Sequence, residues 1–482
     1  MKFYTPHHIT CVIIAIMLAF GVSSCEKALD PGPSKTLLNN ANVYTSDGAA
    51  QSVLSGLYMR MASATTFYNG SADLSLMLGL SADELISPST SNLANGTAFA
   101  NAYTSINAPG FFAEFYREIF VCNLAIKGLT NSNTLTATVK QQLLAELKFI
   151  RAFNYFYATN LYGNVPLTLT DDPAFNNVIA RSSQADVYAQ ILKDLSEAQA
   201  DLPDGKYVNG AGATVTDRVR PNKQVATAML ARVYLYLQDW KNAEAQASAV
   251  IASSNYILEP TLNNVFLKAS KEAIWQLQSV STTYTNTVDG FYLIPTSNSF
   301  VTSGQLPLSN NVTGSFETGD KRFANWVGQY QLTTTTPATV YNYAYKYKVS
   351  SINGTTPVTE YPMVMRLAEL FLIRAEARAR QNNLSGAESD LFAVRARAGL
   401  GHIAVTDQPA MLSAVEKERK TELFAEWGHR WFDLKRTGRL TTVMSVVTPT
   451  KGGVWADYKQ LFPITANDIA NDPNLTQTPG FN

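Results

Sequence analysis

Apolar residues recur every three or four positions over most of this chain, the spacing of helices that bury one face. The pattern predicts helices over 48–61, 71–80 and 111–129. A stronger one runs from Thr138 to Leu161 and is stopped by Tyr162-Gly163-Asn164-Val165-Pro166. In it Phe149, Phe153, Phe156 and Tyr157 are spaced to face a core. Gln184 to Leu202 is its expected partner, ended by Pro203. Residues 224–253 read as a helical hairpin turning at Gln238-Asp239.

Inside that hairpin Ala231 and Ala243 lie twelve residues apart, with Tyr234 between them. This is the small–aromatic–small arrangement of a tetratricopeptide repeat, where alanines let helices approach closely. Ala375 and Ala387 repeat the offset, although Arg378 stands for the aromatic and Ser248 and Arg395 adjoin positions usually apolar. The repeats are degenerate, and a long segment separates them. The expected fold is therefore mainly α, a tetratricopeptide-like scaffold with an irregular, loop-rich lobe containing a few short strands.

Two stretches break the helical period. Residues 87–101 are rich in Ser, Thr, Asn and Gly and read as an exposed loop. Residues 276–361 are rich in Thr, Ser, Asn and Tyr. Within them Tyr341, Tyr343, Tyr345 and Tyr347 alternate, so on a strand they share one face. Packing on a neighbouring helix is the commoner use of such a ladder, and sugar binding the rarer one.

Residues 416–439 predict one helix with two stripes. Phe424, Trp427, Trp431 and Leu434 form the apolar one, and Glu418, Glu422, Glu426, Arg430 and Asp433 the charged one. Glu426 and Arg430 stand at i and i+4 in the favourable order, and Gly438 supplies a stop. Ion-pair ladders of this kind are commoner than catalytic carboxylates, so the reading is structural.

At the N-terminus, Lys2 precedes an apolar run from Cys11 to Val22, too short to span a membrane. Residues 1–24 read as a secretion signal, and Val22-Ser23-Ser24-Cys25 as a lipobox whose thiol accepts diacylglycerol. Residues 25–40, with Pro31 and Pro33, read as a lipidated tether. Cys122 is left alone in a helical pattern, a small buried hydrophobe without a disulfide partner.

Composition then removes whole classes of function. Thirty-eight basic side chains balance 38 acidic ones, and such a neutral chain lacks the basic surface that nucleic acid requires. Only four histidines occur, and two of them, His7 and His8, lie in the signal. His402 and His429 are too few for a histidine zinc site or triad. There is no phosphate-cradling glycine loop, no nucleophile motif and no calcium-loop spacing, so no cofactor is expected. A glycosidase needs two carboxyls facing across a cleft. Asp83-Glu84 and Asp171-Asp172 are the nearest approach, but chain neighbours usually point apart.

The segment Glu426-Trp427-Gly428-His429-Arg430-Trp431-Phe432-Asp433-Leu434-Lys435-Arg436-Thr437-Gly438, preceded by Glu418-Arg419 and Glu422-Leu423, resembles the C-terminal signature of the SusD/RagB family. LKFIRAFNYFYATNLYGNVPL, RPNKQVATAMLARVYLYLQDWKNAEAQASAVI, YPMVMRLAELFLIRAEA and LFPITANDIANDPNLTQTPGF resemble further family segments in family order. The resemblance implies a nutrient-binding outer-membrane lipoprotein on a helical-repeat scaffold. It also implies a SusC-like TonB-dependent transporter as partner, and exposure to the cell exterior.

Expected organisation follows: a helical-repeat part over 41–275, the variable lobe over 276–361 and a C-terminal helical part over 362–482. Sugars are bound by flat aromatic platforms with amides and carboxylates at the rim. The loop-rich stretches offer Tyr68, Asn69 and Asn92, and then Tyr284, Asp289, Tyr292 and Trp326, as candidates. The expected function is non-catalytic binding of an oligosaccharide or polysaccharide for import. The alternative is a helical-repeat scaffold that binds peptide or protein in its groove.

Overall fold

In the computed structural model the described residues are 43–63, 65–70, 73–89, 92–209, 212–280, 285–296, 300, 304–332, 338–350 and 356–481. The signal, Cys25 and the tether fall outside them. The fold is mainly α with a few two-stranded sheets. Helices Phe111–Asn131, Ala137–Tyr162, Gln184–Asp201, Lys223–Tyr236 and Trp240–Ile251 pack each on the next. Trp240–Ile251 then packs on Leu367–Arg380, which pairs with Leu384–Arg397, and Gln408–Glu422 closes the series. One helical array is thus interrupted by an insertion of loops.

The repeat geometry explains the alanines. Ala231, Ala243, Ala375 and Ala387 are all wholly buried where paired helices touch. Each hairpin turns through one left-handed residue, Gln238 at φ 58° and Asn382 at φ 60°. The next residue, Asp239 or Asn383, caps the following helix with its side chain. Arg378, in the aromatic's place, bonds Glu244 and Asp390 and so ties one hairpin to the other.

Strand Ala273–Gln276 pairs antiparallel with Met363–Arg366, and this pair ties the two ends of the insertion together. Beyond it Val327–Leu332 pairs with Thr339–Ala344. The 87–101 stretch is not all loop, because Leu93–Phe99 is a helix capped by Asn92.

The expected continuous helix at 416–439 is broken. Gln408–Glu422 ends before Leu423, and His429–Arg436 starts afresh. Between them Ala425 (φ 52°), Trp427 (φ 47°) and Gly428 (φ 68°) take left-handed backbone, unusual for the two that carry a Cβ. Buried contacts offset that strain. The Trp427 amide donates to Ser75 Oγ at 3.0 Å, and its indole N–H donates to the Met363 carbonyl at 2.7 Å.

The break also redirects the charges. Glu426 does not pair with Arg430; it accepts from Arg366 and Lys346 instead. Arg430 turns to Asp83 and Glu416. Glu422 meets Arg322 of the insertion, Arg366 at its neck and Arg397 of the array. Isolated buried ions are costly, so each carboxylate here faces more than one cation. Burial holds His429 neutral, with its pKa down at about 4. Burial likewise pushes the Cys122 thiol up, as for an inert core residue.

Candidate functional site

The insertion and the N-terminal loop are laced into one surface. The Ile86 amide donates to the Pro307 carbonyl at 2.9 Å, and the Ser309 amide to the Glu84 carbonyl at 2.8 Å. The Leu308 amide then donates to the Asn342 carbonyl at 2.8 Å, which brings in the two-stranded ribbon. Asn95 Nδ2 reaches the Gly304 carbonyl at 3.2 Å.

Tyrosines dominate one face of the ribbon because opposite residues share a face. Tyr330 is paired with Tyr341, and Gly328 with Tyr343. The absent side chain at Gly328 makes room for the Tyr343 ring, since a Cβ there would lie 2.1 Å from Tyr343 Cζ. Tyr345 stands edge-on to Tyr343 at 5.6 Å, and the Lys348 ammonium sits 3.9 Å from the Tyr345 ring centre. Phe300 packs on Tyr330 and Tyr341 at the far end. Tyr341, Tyr343 and Tyr345 are half-buried. The ladder does not continue, because the strand ends at Ala344 and Tyr347 turns into the core, where its hydroxyl accepts from the Met363 amide.

On the other face Gln329, Gln331 and Val340 are exposed, and Gln329 Nε2 donates to Asn342 Oδ1 at 3.1 Å. Half-buried rings on one face and exposed glutamine amides on the other are the two chemistries a sugar uses.

The predicted residues divide. Asn92 stays at the surface beside Gly304, and Tyr292 stays half-buried, its carbonyl accepting from the Leu306 amide at 3.0 Å. Four others are interior, which corrects their expected place in the binding surface. Tyr68 is buried against Phe67 and Phe153, its hydroxyl donating to Asn154 Oδ1 at 2.5 Å. Asn69 bridges the Ala62 carbonyl and the Val288 amide. Asp289 is buried beside Asp73. Trp326 is 0% exposed, its indole donating to the Leu262 carbonyl at 3.0 Å. Tyr284 and Cys25 lie outside the described residues. The ribbon amides Gln329 and Asn342 escaped the sequence reading; only their strand pairing reveals them.

Burial opposes the Asp83 charge, but Arg430 and Lys420 outweigh it and hold its pKa at about 2. Burial, with the Asp83 charge beside it, pushes Glu84 up to about 8. Both are buried, and Arg430 and Lys420 occupy Asp83. Asp171 pairs with Lys127, and Asp172 caps Pro173–Asn176. Among the described residues no group of three or more His, Cys, Asp or Glu is arranged to hold a metal ion. Among them, too, no helix is long and apolar enough to cross a membrane.

Two family models match this chain. One, described as SusD family, covers residues 238–481, and the other, described as starch-binding associating with outer membrane, covers residues 52–235. The chain belongs to the SusD family. SusD-like protein P25 of Formosa agariphila is 23% identical over 98% of each chain. Starch-binding protein SusD of Bacteroides thetaiotaomicron is 24% identical over 74% of each. A solved structure described as a laminarin binding SusD-like protein shares the fold, with a TM-score of 0.74, 24% identity, and coverage of 91% of this chain and 100% of that one.

Proposed function

We propose that this protein binds a glycan at the cell surface without cleaving it and passes it to a SusC-like TonB-dependent transporter in the outer membrane. The observation that carries the reading is the ribbon, where Tyr341 and Tyr343 line up on one face and Gln329 and Asn342 on the other. Membership of the SusD family supports it, as do relatives named for starch and laminarin. Asn92 and Tyr292 adjoin the surface, and Tyr284 is included on its place in the sequence alone. The carboxyl pairs support a non-catalytic role, because Asp83 and Glu84 are buried and differently charged rather than facing a cleft. Acylation of Cys25 anchors the chain, and the binding surface faces the exterior.

Calorimetry with starch- and laminarin-derived oligosaccharides tests the reading. Reversible binding with no release of shorter sugars is the expected result. Failure of every glycan to bind, or time-dependent cleavage by the pure protein, overturns it. Cys25→Ala is expected to leave the membrane fraction as folded protein.

A further inference from the structure

We propose that a groove beside the Phe111–Asn131 helix is a second carbohydrate-binding site, built for a short saccharide and sharing no residue with the ribbon surface. The inference rests on the glycan-binding reading above and adds a second place where that ligand is held.

The platform comes from helical spacing. Phe112, Tyr116 and Phe120 stand at i, i+4 and i+8, so they form one stripe. At about 1.5 Å of rise per residue the rings follow one another every ~6 Å. Phe112 is buried and serves as the base of the row, so Tyr116 and Phe120 are the two rings open to a saccharide. The row is also rigid. Phe112 is wedged edge-on against Tyr162 at 5.3 Å, and Tyr116 lies 4.6 Å from Phe112. The Tyr116 hydroxyl donates to the Pro166 carbonyl at 2.5 Å, which fixes the ring. Phe120 is 38% exposed, a large apolar ring at the open end of the row. Platforms fixed before binding cost little ordering entropy.

The rim supplies the polar half. The groove encloses about 310 Å³, within the range of small-ligand sites. Asn177 and Asn471 both line the groove, and both are exposed. Among the described residues neither side-chain amide makes a hydrogen bond. Asn176 donates to the Thr170 carbonyl at 2.8 Å, while its Oδ1 has no partner. Asp468 and Asp472 complete the rim. Carboxylates and amides accept from and donate to sugar hydroxyls. Arg181, opposite the lining Pro166 on the neighbouring strand, places one guanidinium beside Tyr116, so the rim carries both signs of charge. Two sites on one molecule raise the hold on a polymer long enough to reach both, without a new contact at either.

Calorimetry and polymer-retention assays on detergent-solubilised full-length protein test this with neutral α- and β-gluco-oligosaccharides, the parent polymers and a sulfated galactan. The wild type is expected to show two classes of site. Phe120→Ala is expected to remove one class and weaken polymer retention about tenfold, and Tyr343→Ala to remove the other. If Phe120→Ala and the double variant Asn177→Ala/Asn471→Ala leave stoichiometry and affinity unchanged while Tyr343→Ala abolishes binding, the second site is overturned and the glycan reading stands. If those variants instead lose co-purification with an outer-membrane protein and bind sugar normally, the groove is a protein contact and the inference falls. No binding of any of these glycans by the wild type overturns both readings together.

Discussion

The carboxyl groups of Asp73 and Asp289 are buried beside each other inside the protein, each perturbing the other. Asp73 caps Leu74–Ser81, accepting from the Leu76 amide at 2.9 Å. Asp289 opens Val288–Leu293 in the insertion. The pair therefore joins the N-terminal part to the variable lobe. Burial pushes both pKa values up, Asp289 to about 6 and Asp73 well above its ordinary value, with each carboxyl sensing the other. Glu426, Lys346 and Tyr347 are the other titratable groups around Asp289.

This pair makes stability depend on pH. The folded state holds the protons more tightly than the unfolded chain. Their contribution is fully present below the unfolded carboxylate value of about 4. It is lost as pH rises through the folded value, about 6 for Asp289. Asp289→Asn keeps a donor for Asp73 and cannot ionise. Its melting temperature relative to wild type is expected to rise between pH 5 and pH 8. A difference that stays constant across that window would show that the pair does not titrate there.

Glu422 is the hub of the buried charges. It accepts from Arg322 at 2.9 Å, from Arg366 at 2.5 Å and from Arg397. Glu422→Gln keeps the shape and leaves three guanidinium groups facing a neutral amide. Breaking a buried pair in this way costs about 3–5 kcal/mol. Urea unfolding measures it, and a loss below about 1 kcal/mol would mean the remaining carboxylates compensate.

Gly428 is required by its surroundings. Its φ is 68°, and a Cβ would lie 2.2 Å from Leu78 Cδ1 and 2.8 Å from Leu78 Cβ. Left-handed backbone and overpacking each cost about 1–3 kcal/mol, so Gly428→Ala is expected to lose roughly 2–5 kcal/mol. Gly438 is also left-handed but has open space around it, so Gly438→Ala is expected to lose only the backbone share. Equal losses at the two positions would remove the Leu78 contact from the account.

These residues show what periodicity can and cannot reveal. The array helices were legible because their faces repeat, and Ala137–Tyr162 differs from the reading by one residue at each end. The alanine offset marked both repeats, and the first turn was read at Gln238-Asp239. The signature segment misled, since Phe424, Trp427 and Trp431 fit a helical stripe although the backbone is not helical between 423 and 428. There tertiary bonds to Ser75 and Met363 override local preference, and no spacing in sequence announces them. The site was least legible. An aromatic in a loop-rich stretch is a platform or a core residue according to what packs over it. For Trp326 that is Phe266, at 5.7 Å, from a segment sixty residues earlier.

Trp326 and Tyr343 therefore separate folding from binding. The Trp326 ring is edge-on to Phe266, and the cations of Lys346, Arg366 and Arg397 lie 5.1, 5.8 and 5.6 Å from its centre. Removing it opens a cavity beside the buried charges, and Trp326→Ala is expected to cost about 3–5 kcal/mol. Tyr343 is half-buried, and it packs over the bare backbone of Gly328 and beside the Tyr345 ring. Losing one cross-strand partner costs about 0.2–1 kcal/mol, so Tyr343→Ala is expected to stay folded. If its ring carries a sugar, a lost stacking contact of about 1.4 kcal/mol weakens the complex tenfold. Thermal melts and glycan calorimetry on both variants read the two quantities separately. The expected pattern is a low melting temperature for Trp326→Ala and a raised Kd with a nearly unchanged melting temperature for Tyr343→Ala. A Tyr343→Ala protein that binds glycan as tightly as wild type would take the ribbon out of the site, and a stable Trp326→Ala protein with weakened binding would restore Trp326 to it.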